Sequence, residues 1–170
     1  LARDDEIFWK NRYFQLWHHI YSMDGSRIAA IASPKFGQWT LAIDDKPWKL
    51  TFKDLVTDPA FSPDGRRAAC VGKTDGKWMI AVDGIAWADT YDMAWPPIFS
   101  PDSKNVAAKT EKNGIYRMIV NGRPIQTDYQ TLWNPVFSPE GDKILIRGVE
   151  TGANDGKYTR TVLPLAEILK

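Results

Sequence analysis

The residues able to do chemistry in this chain are few, and their spacing suits little of it. His18 and His19 stand side by side. Imidazoles bind metals and relay protons, but neighbours on a strand project to opposite faces and do not readily chelate one ion. One inward and one solvent-facing histidine is expected. Asp4, Asp5 and Glu6 form a terminal acidic run. It has the oxygen donors of a calcium site, and reads first as a solvated end. Cys70 lies in the apolar run "RRAACVG" and reads as a small buried core residue. As the one cysteine it allows no internal disulfide, which points to a reducing compartment.

The motifs of common enzyme classes are absent: no G-x-S-x-G elbow, no P-loop, no G-x-G-x-x-G and no H-E-x-x-H. There is no haem attachment motif and no cysteine cluster for iron and sulfur. One Cys and two His do not make a common structural zinc site. The reading therefore assigns no catalytic, cofactor-binding or metal-ligating residue, and expects no enzyme and no cofactor.

Composition narrows the partners. Twenty-two basic and 21 acidic residues in 170 leave a net charge of +1, without the basic excess of a nucleic-acid binder. No apolar run approaches the roughly 20 residues of a membrane span, and no signal peptide is recognisable. The chain opens on Leu1 without a Met, as expected of a processed or partial product. A cytoplasmic protein is expected, associated with a membrane only through partners, with the periplasm as the alternative. Tryptophan is the anomaly, with eight in the chain; indoles that large are packed or are exposed for a reason.

An internal repeat supplies the elements that position these residues. "FSPDG" at 61–65 returns as "FSPDS" at 99–103 and "FSPEG" at 137–141, at intervals of 38 residues. Trp95 and Trp133 each precede the Ser of the motif by five residues, and Trp17 does so in the diverged copy "YSMDG". After each motif come a short apolar stretch, a Gly with an aromatic two residues on, and an alternating stretch. The first interval is two residues longer, and the extra pair falls in the "SPKFGQ" turn. Asp-Gly and Asn-Gly pairs, from Asp24-Gly25 to Asp155-Gly156, suit two-residue hairpins whose central positions have positive φ. Asp44-Asp45 takes such a place and reads as a turn rather than a carboxylate pair. Asp58, where other units have Pro96 and Asn134, reads as a turn or strand-end cap.

Four strands per unit of about 40 residues predict an all-β propeller. Units at about 14–56, 57–94, 95–132 and 133–164 form one domain over 1–170, with only "LAEILK" at the C-terminus helical. The last unit lacks an outer strand. Trp9 and Tyr13 precede Trp17 by the same eight and four residues that separate Trp87 and Tyr91 from Trp95. Segment 6–13 is thus expected to close a four-bladed ring by pairing with the last blade. Two alternatives stand beside this: the segment is the trailing edge of a further blade, or it pairs with a second chain in a larger or dimeric ring. Monomer and dimer both remain open.

Register argues that Trp17, Trp95 and Trp133, Trp39 and Trp78, and Trp9, Trp48 and Trp87 pack between blades. Tyr91 and Tyr129 are read likewise. Phe61, Phe99 and Phe137 are expected to pack into the blades, and Asp64-Gly65 to set the turn; Ser103, replacing the Gly, predicts a different turn geometry. The competing reading is a lectin-like or small-ligand propeller with exposed tryptophans.

The F-S-P-D-G run, followed by a basic residue and small apolar residues, resembles the TolB-type, WD-like propeller repeat over nearly the whole chain. The Asp-His-Ser-Trp quartet of true WD repeats is absent. The strings "TYDMAWPPIFSPDSKNVAAKTEKNGIYRMIVNG" and "LWNPVFSPEGDKILIRGVE" resemble the tryptophan-rich TmcD subunit family of the transmembrane electron-transfer complex of sulfate-reducing bacteria. That resemblance implies a cofactor-free docking or scaffold subunit beside a multihaem cytochrome, a cytochrome b-type subunit and an iron–sulfur protein. It transfers no active-site residue. Loops such as "SPKFGQ" and "ETGAND" are the expected contact surfaces.

Overall fold

A computed structural model describes residues 2–3, 6–7, 9–152 and 156–170. Asp4, Asp5 and Asp155, which entered the acidic-run and turn readings, lie outside the described residues. β1 (Ala2–Arg3) and β2 (Glu6–Ile7) form a two-stranded sheet. The first repeat is a four-stranded antiparallel sheet of β3 (Gln15–Tyr21), β4 (Ile28–Lys35), β5 (Gln38–Ile43) and β6 (Lys46–Pro47). The second has the same order in β7 (Leu55–Phe61), β8 (Ala68–Thr74), β9 (Lys77–Val82) and β10 (Ile85–Ala86).

The remaining strands form one nine-stranded sheet. In the third repeat β11 (Met93–Ala94) and β12 (Ile98–Phe99) pair with β13 (Val106–Lys112), followed by β14 (Ile115–Val120) and β15 (Arg123–Pro124). In the fourth, β16 (Tyr129–Leu132) and β17 (Val136–Phe137) pair with β18 (Lys143–Glu150), followed by β19 (Tyr158–Pro164). Tyr116 paired with Tyr129 joins the two. Trp39 with Phe52 and Trp78 with Tyr91 make the same link as isolated bridges. The chain thus passes from the third strand of one repeat to the first of the next by one device.

Second strands such as "IAAIA" and "AACVG" are buried on both faces, which is why they lack polar alternation. With the face toward the preceding repeat called the front, the core divides into seams. Ala29, Ile31 and Leu41 on the back of the first repeat meet Val56, Ala68, Cys70 and Ala81 on the front of the second. Ala69, Val71 and Val82 meet Ala94, Phe99 and Val106 at the next seam. Ala107, Met118 and Val120 meet Phe137, Ile144 and Ile146 at the third. Cys70 is fully buried, as expected.

Several expectations are corrected. Segment 6–13 does not pair with the last blade, and the ring is not closed. β2 already has a partner: Ala2 opposes Ile7 and Arg3 opposes Glu6, the register in which Ala42 opposes Pro47 and Ile43 opposes Lys46. The hairpin has the geometry of a repeat's third and fourth strands, so it does not complete the fourth repeat. Trp9 instead packs on Ile28, Ala30, Ala32 and Ala42 of the first repeat, with Tyr13 and Leu16 against the same cluster. After β19, whose only partner among the described residues is β18, the chain turns into α1 (Leu165–Ile168), which buries Leu165 at the third seam.

His18 and His19 are both exposed, and neither points inward. His18 sits at φ +49 in a bulge of β3, between the paired Trp17 and Ile20. A bulge disrupts the alternation on which the inward–outward expectation rested. Asp58, at φ +50, makes the matching bulge in β7.

Ser103 does not change the turn. Its φ is +65, beside +69 at Gly65, and its amide donates to Ser100 O at 2.8 Å as Gly65 does to Ser62 O. In these turns only the fourth residue has positive φ. Both central residues do in the hairpins at Asp44-Asp45, Asp83-Gly84 and Asn121-Gly122, the pattern expected of a primed turn.

Candidate functional site

The repeated turn is a seam fastener. Ser62 Oγ–H donates to Asp64 Oδ1 at 2.6 Å and accepts the Arg67 amide at 3.0 Å. The same Ser–Asp bond forms at Ser22–Asp24 (2.6 Å) and Ser100–Asp102 (2.5 Å). In the fourth copy Glu140 stands in the Asp position, and Ser138 donates to Asp142 instead, at 2.8 Å. The Ser22 hydroxyl, with the Ser26 amide and hydroxyl, holds the Asp24 carboxyl down to about 2. Asp64 and Asp102 are lowered for the same first reason.

The arginine after each of the first two turns reaches the next repeat. Arg27 Nη1 donates to Gly65 O at 3.0 Å, and Arg67 Nη1 to Lys104 O at 2.7 Å. Their Nε atoms hold Asp44 (2.8 Å) and Asp83 (2.9 Å) on their own repeats. Each guanidinium also lies over the next motif's aromatic, Phe61 at 5.8 Å and Phe99 at 5.5 Å. Ser103 adds a hydroxyl that accepts the Asp64 amide at 3.0 Å. Asn105 is too short to continue the series and accepts from Asn121 Nδ2. The predicted turn and motif residues thus gather along one end of the repeats.

The tryptophans divide. Trp48 and Trp87 lie against Gly84 and Gly122, the turn glycines of the following repeat. Trp9 packs on the first repeat instead, and beside it the Asp45 carboxylate accepts the Lys10 and Asn11 amides while Tyr13 donates to the Asp45 carbonyl oxygen at 3.1 Å. Burial pushes the Tyr13 hydroxyl up to about 12, with Asp45 adding to it. Trp17 and Trp133 remain exposed, edge-on to Trp39 at 5.0 Å and to Tyr158 at 5.8 Å. Trp95 is half-buried beside Tyr116, with Lys109 Nζ 4.0 Å from its ring centre.

The two-residue insertion in the first repeat puts Phe36 at the tip of the β4–β5 turn, 90% exposed. Phe14, whose amide bonds Ser33 O, is exposed at the same end, as is Trp17, which stands edge-on to the half-buried Trp39. This aromatic end was anticipated only as the loop "SPKFGQ".

A cavity of about 340 Å³ opens between the second and third repeats, lined by Asp89, Tyr91, Thr110, Lys112 and Arg117 among others, and by no tryptophan. Sequence reasoning took Tyr91 as structural and missed the cavity. The available signal was a departure from the repeat: Thr110 stands where Gly72 and Gly148 let an aromatic ring sink onto the sheet. The Tyr91 ring is buried, and its hydroxyl has no partner among the described residues. Burial, then Asp89, pushes that hydroxyl up to about 12, so it stays a neutral donor. Arg117 is held by Asp128 at 2.5 Å and 3.0 Å. Among the described residues no group of three or more His, Cys, Asp or Glu is placed to hold a metal ion, and no helix is long and apolar enough to cross a membrane.

No family model matches the sequence, and no curated protein does. Solved structures do resemble it. TolB from Acinetobacter baumannii matches with TM-score 0.50 and 16% identity over 89% of this chain and 41% of that one. The Dos1 propeller matches with TM-score 0.48 and 13% identity over 77% and 38%. The β-propeller domain of Myceliophteria thermophila Cps50 (Swd1) matches with TM-score 0.44 and 15% identity over 80% and 48%. The chain spans less than half the length of each. The likeness to TolB shows the fold alone: antiparallel sheets of β-propeller type.

Proposed function

We propose that the chain is a noncatalytic scaffold subunit that docks a partner protein through the aromatic end of its first repeat, within a membrane-associated electron-transfer complex. Phe36 carries this reading. A Phe held at 90% exposure on a turn lengthened by two residues contributes nothing to the core. Exposed aromatics of this kind are the usual anchors of protein interfaces. The electron-transfer setting rests on the repeat's resemblance to the tryptophan-rich subunit family. Affinity-tagged chain, captured from solubilised membranes of its host, is expected to bring a cytochrome-containing complex with it, read by haem absorbance. The Phe14→Ser/Phe36→Ser double variant is expected to lose it. Recovery of tagged chain free of haem protein, or equal recovery by the variant, overturns the proposal.

One observation favours a second reading, small-ligand binding: Tyr91, Asp89, Lys112 and Arg117 line a cavity of about 340 Å³. Pockets for small ligands are mostly apolar with a few placed polar groups. Ligand-dependent tryptophan fluorescence separates the two readings.

A further inference from the structure

Around its cavity the second seam departs from the first, and the departures turn apolar positions polar. In the first seam Phe52 sinks onto Gly72, with Leu50 and Met79 packed against the same apolar cluster. In the second, Tyr91 takes the place of Phe52 and Thr110 that of Gly72. Asp89 takes the place of Leu50, and Arg117 that of Met79. Lys112 replaces Thr74, whose hydroxyl accepts the Lys53 amide in the first seam. Phe52 and Tyr129 belong to the apolar clusters of their seams, whereas the cluster of Ala69, Val71 and Ile80 does not take in Tyr91. A seam that needs only to pack has no reason for these changes, because charged groups there cost desolvation and lose apolar contacts. A local rule broken several times at one spot marks a site.

The charges lining the cavity are of both signs and do not pair with each other. Asp89 and Lys112 are exposed, and neither side chain makes a hydrogen bond or ion pair among the described residues. Asp89 acts on Tyr91 and Arg117 only through its charge. Arg117 holds Asp128 through Nε and Nη2, which leaves Nη1 bonded to neither carboxylate oxygen. Ile119 and Pro124 supply an apolar side to the same space, in the places of Ala81 and Ala86.

We infer that the ligand of this cavity is a small zwitterion, with its ammonium at Asp89, its carboxylate at Lys112 and Arg117, and its apolar part against Ile119 and Pro124; the inference rests on the small-ligand reading above. A free α-amino acid with an apolar side chain has this chemistry. An anion alone meets the like charge of Asp89, and a cation alone meets that of Lys112. A neutral polyol forgoes the charge-assisted hydrogen bonds that both ends offer.

Isothermal titration calorimetry on the 170-residue chain tests this with four probes. Leucine carries both charges, leucinamide the ammonium alone, N-acetylleucine the carboxylate alone, and glucose neither. Leucine is expected to bind, and each singly charged analogue to bind about tenfold more weakly, the effect of one charge-assisted hydrogen bond. Asp89→Asn is expected to weaken leucine by the same factor and to leave N-acetylleucine unchanged or tighter. Lys112→Met is expected to weaken leucine likewise and to spare leucinamide. Both side chains are exposed and unpaired, so both variants are expected to keep the parental thermal melt. A preference for glucose or for either singly charged analogue overturns the zwitterion and leaves the small-ligand reading standing. Leucine binding that neither variant weakens also overturns it, since the ligand then lies elsewhere. Binding of none of the four overturns the inference, and only a silent fluorescence panel of other small molecules overturns the small-ligand reading as well.

Discussion

Phe52 fills the space above Gly72. A Cβ on that glycine would stand 2.2 Å from the ring, closer than any real contact. The ring has nowhere to go: Phe52 is fully buried and its backbone is tied to Trp39 in both directions, at 2.8 and 2.7 Å. Gly72→Ala is therefore expected to overpack the first seam and lower the unfolding free energy by about 1–3 kcal/mol. Urea denaturation measures it. A neutral substitution would mean that the seam is loose enough to part.

Arg67 joins three groups on two repeats: Asp83, the Lys104 carbonyl and the Phe99 ring. Arg67→Ala is expected to destabilise the chain by about 1–2 kcal/mol, less than the full sum of a charge-assisted hydrogen bond and a cation–π contact because both partners of the ion pair are partly exposed. Arg67→Lys recovers only part of this, because one ammonium does not serve a carboxylate and a carbonyl in a fixed fork. The same denaturation curves, compared pairwise, check the order of the three proteins.

The turn carboxylates give the fold an acid limit. Asp24 titrates at about 2, below its ordinary 3.8, because Ser22 and Ser26 bond its charged form. A depressed carboxylate stabilises the fold above its unfolded value, and the contribution is lost as pH falls through the folded one. Asp64 and Asp102 shift in the same direction. The melting temperature is expected to fall between about pH 4 and 2. Ser22→Ala moves the Asp24 titration back toward the ordinary range, which carboxyl NMR reads directly.

What the sequence discloses here is periodic, and what it conceals lies in the exceptions. Intervals of 38 residues expose every turn and every seam aromatic, because a blade packs the same way each time. Ring closure is not legible, because Trp9 and Tyr13 share their spacing with any trailing edge. That spacing is silent on whether β2 pairs with β19 or with β1. The His18 bulge hides for a related reason: one extra residue resets alternation without changing composition. The cavity is announced only by Thr110 among glycines, a difference of one side chain whose effect depends on where Tyr91 lies above it. Phe36 was visible as a loop residue, but its exposure follows from the insertion that carries it past the sheet.

Tyr91 offers the last test, because its two readings predict opposite outcomes. Its hydroxyl is buried without a partner among the described residues, and such a group costs desolvation free energy that nothing returns. Tyr91→Phe is therefore expected to leave the ligand-free chain as stable as the parent or more stable, by up to about 1 kcal/mol. The cavity beside it remains, since Thr110 still props the ring. Thr110→Gly is expected to let the ring settle as Phe52 does over Gly72, closing the cavity. Denaturation of both variants, followed by tryptophan fluorescence against a small-molecule panel, separates the cases. If the hydroxyl is merely a packing remnant, both variants keep the parental response. If the cavity binds a ligand through that donor, the parent responds to a compound that both variants have lost.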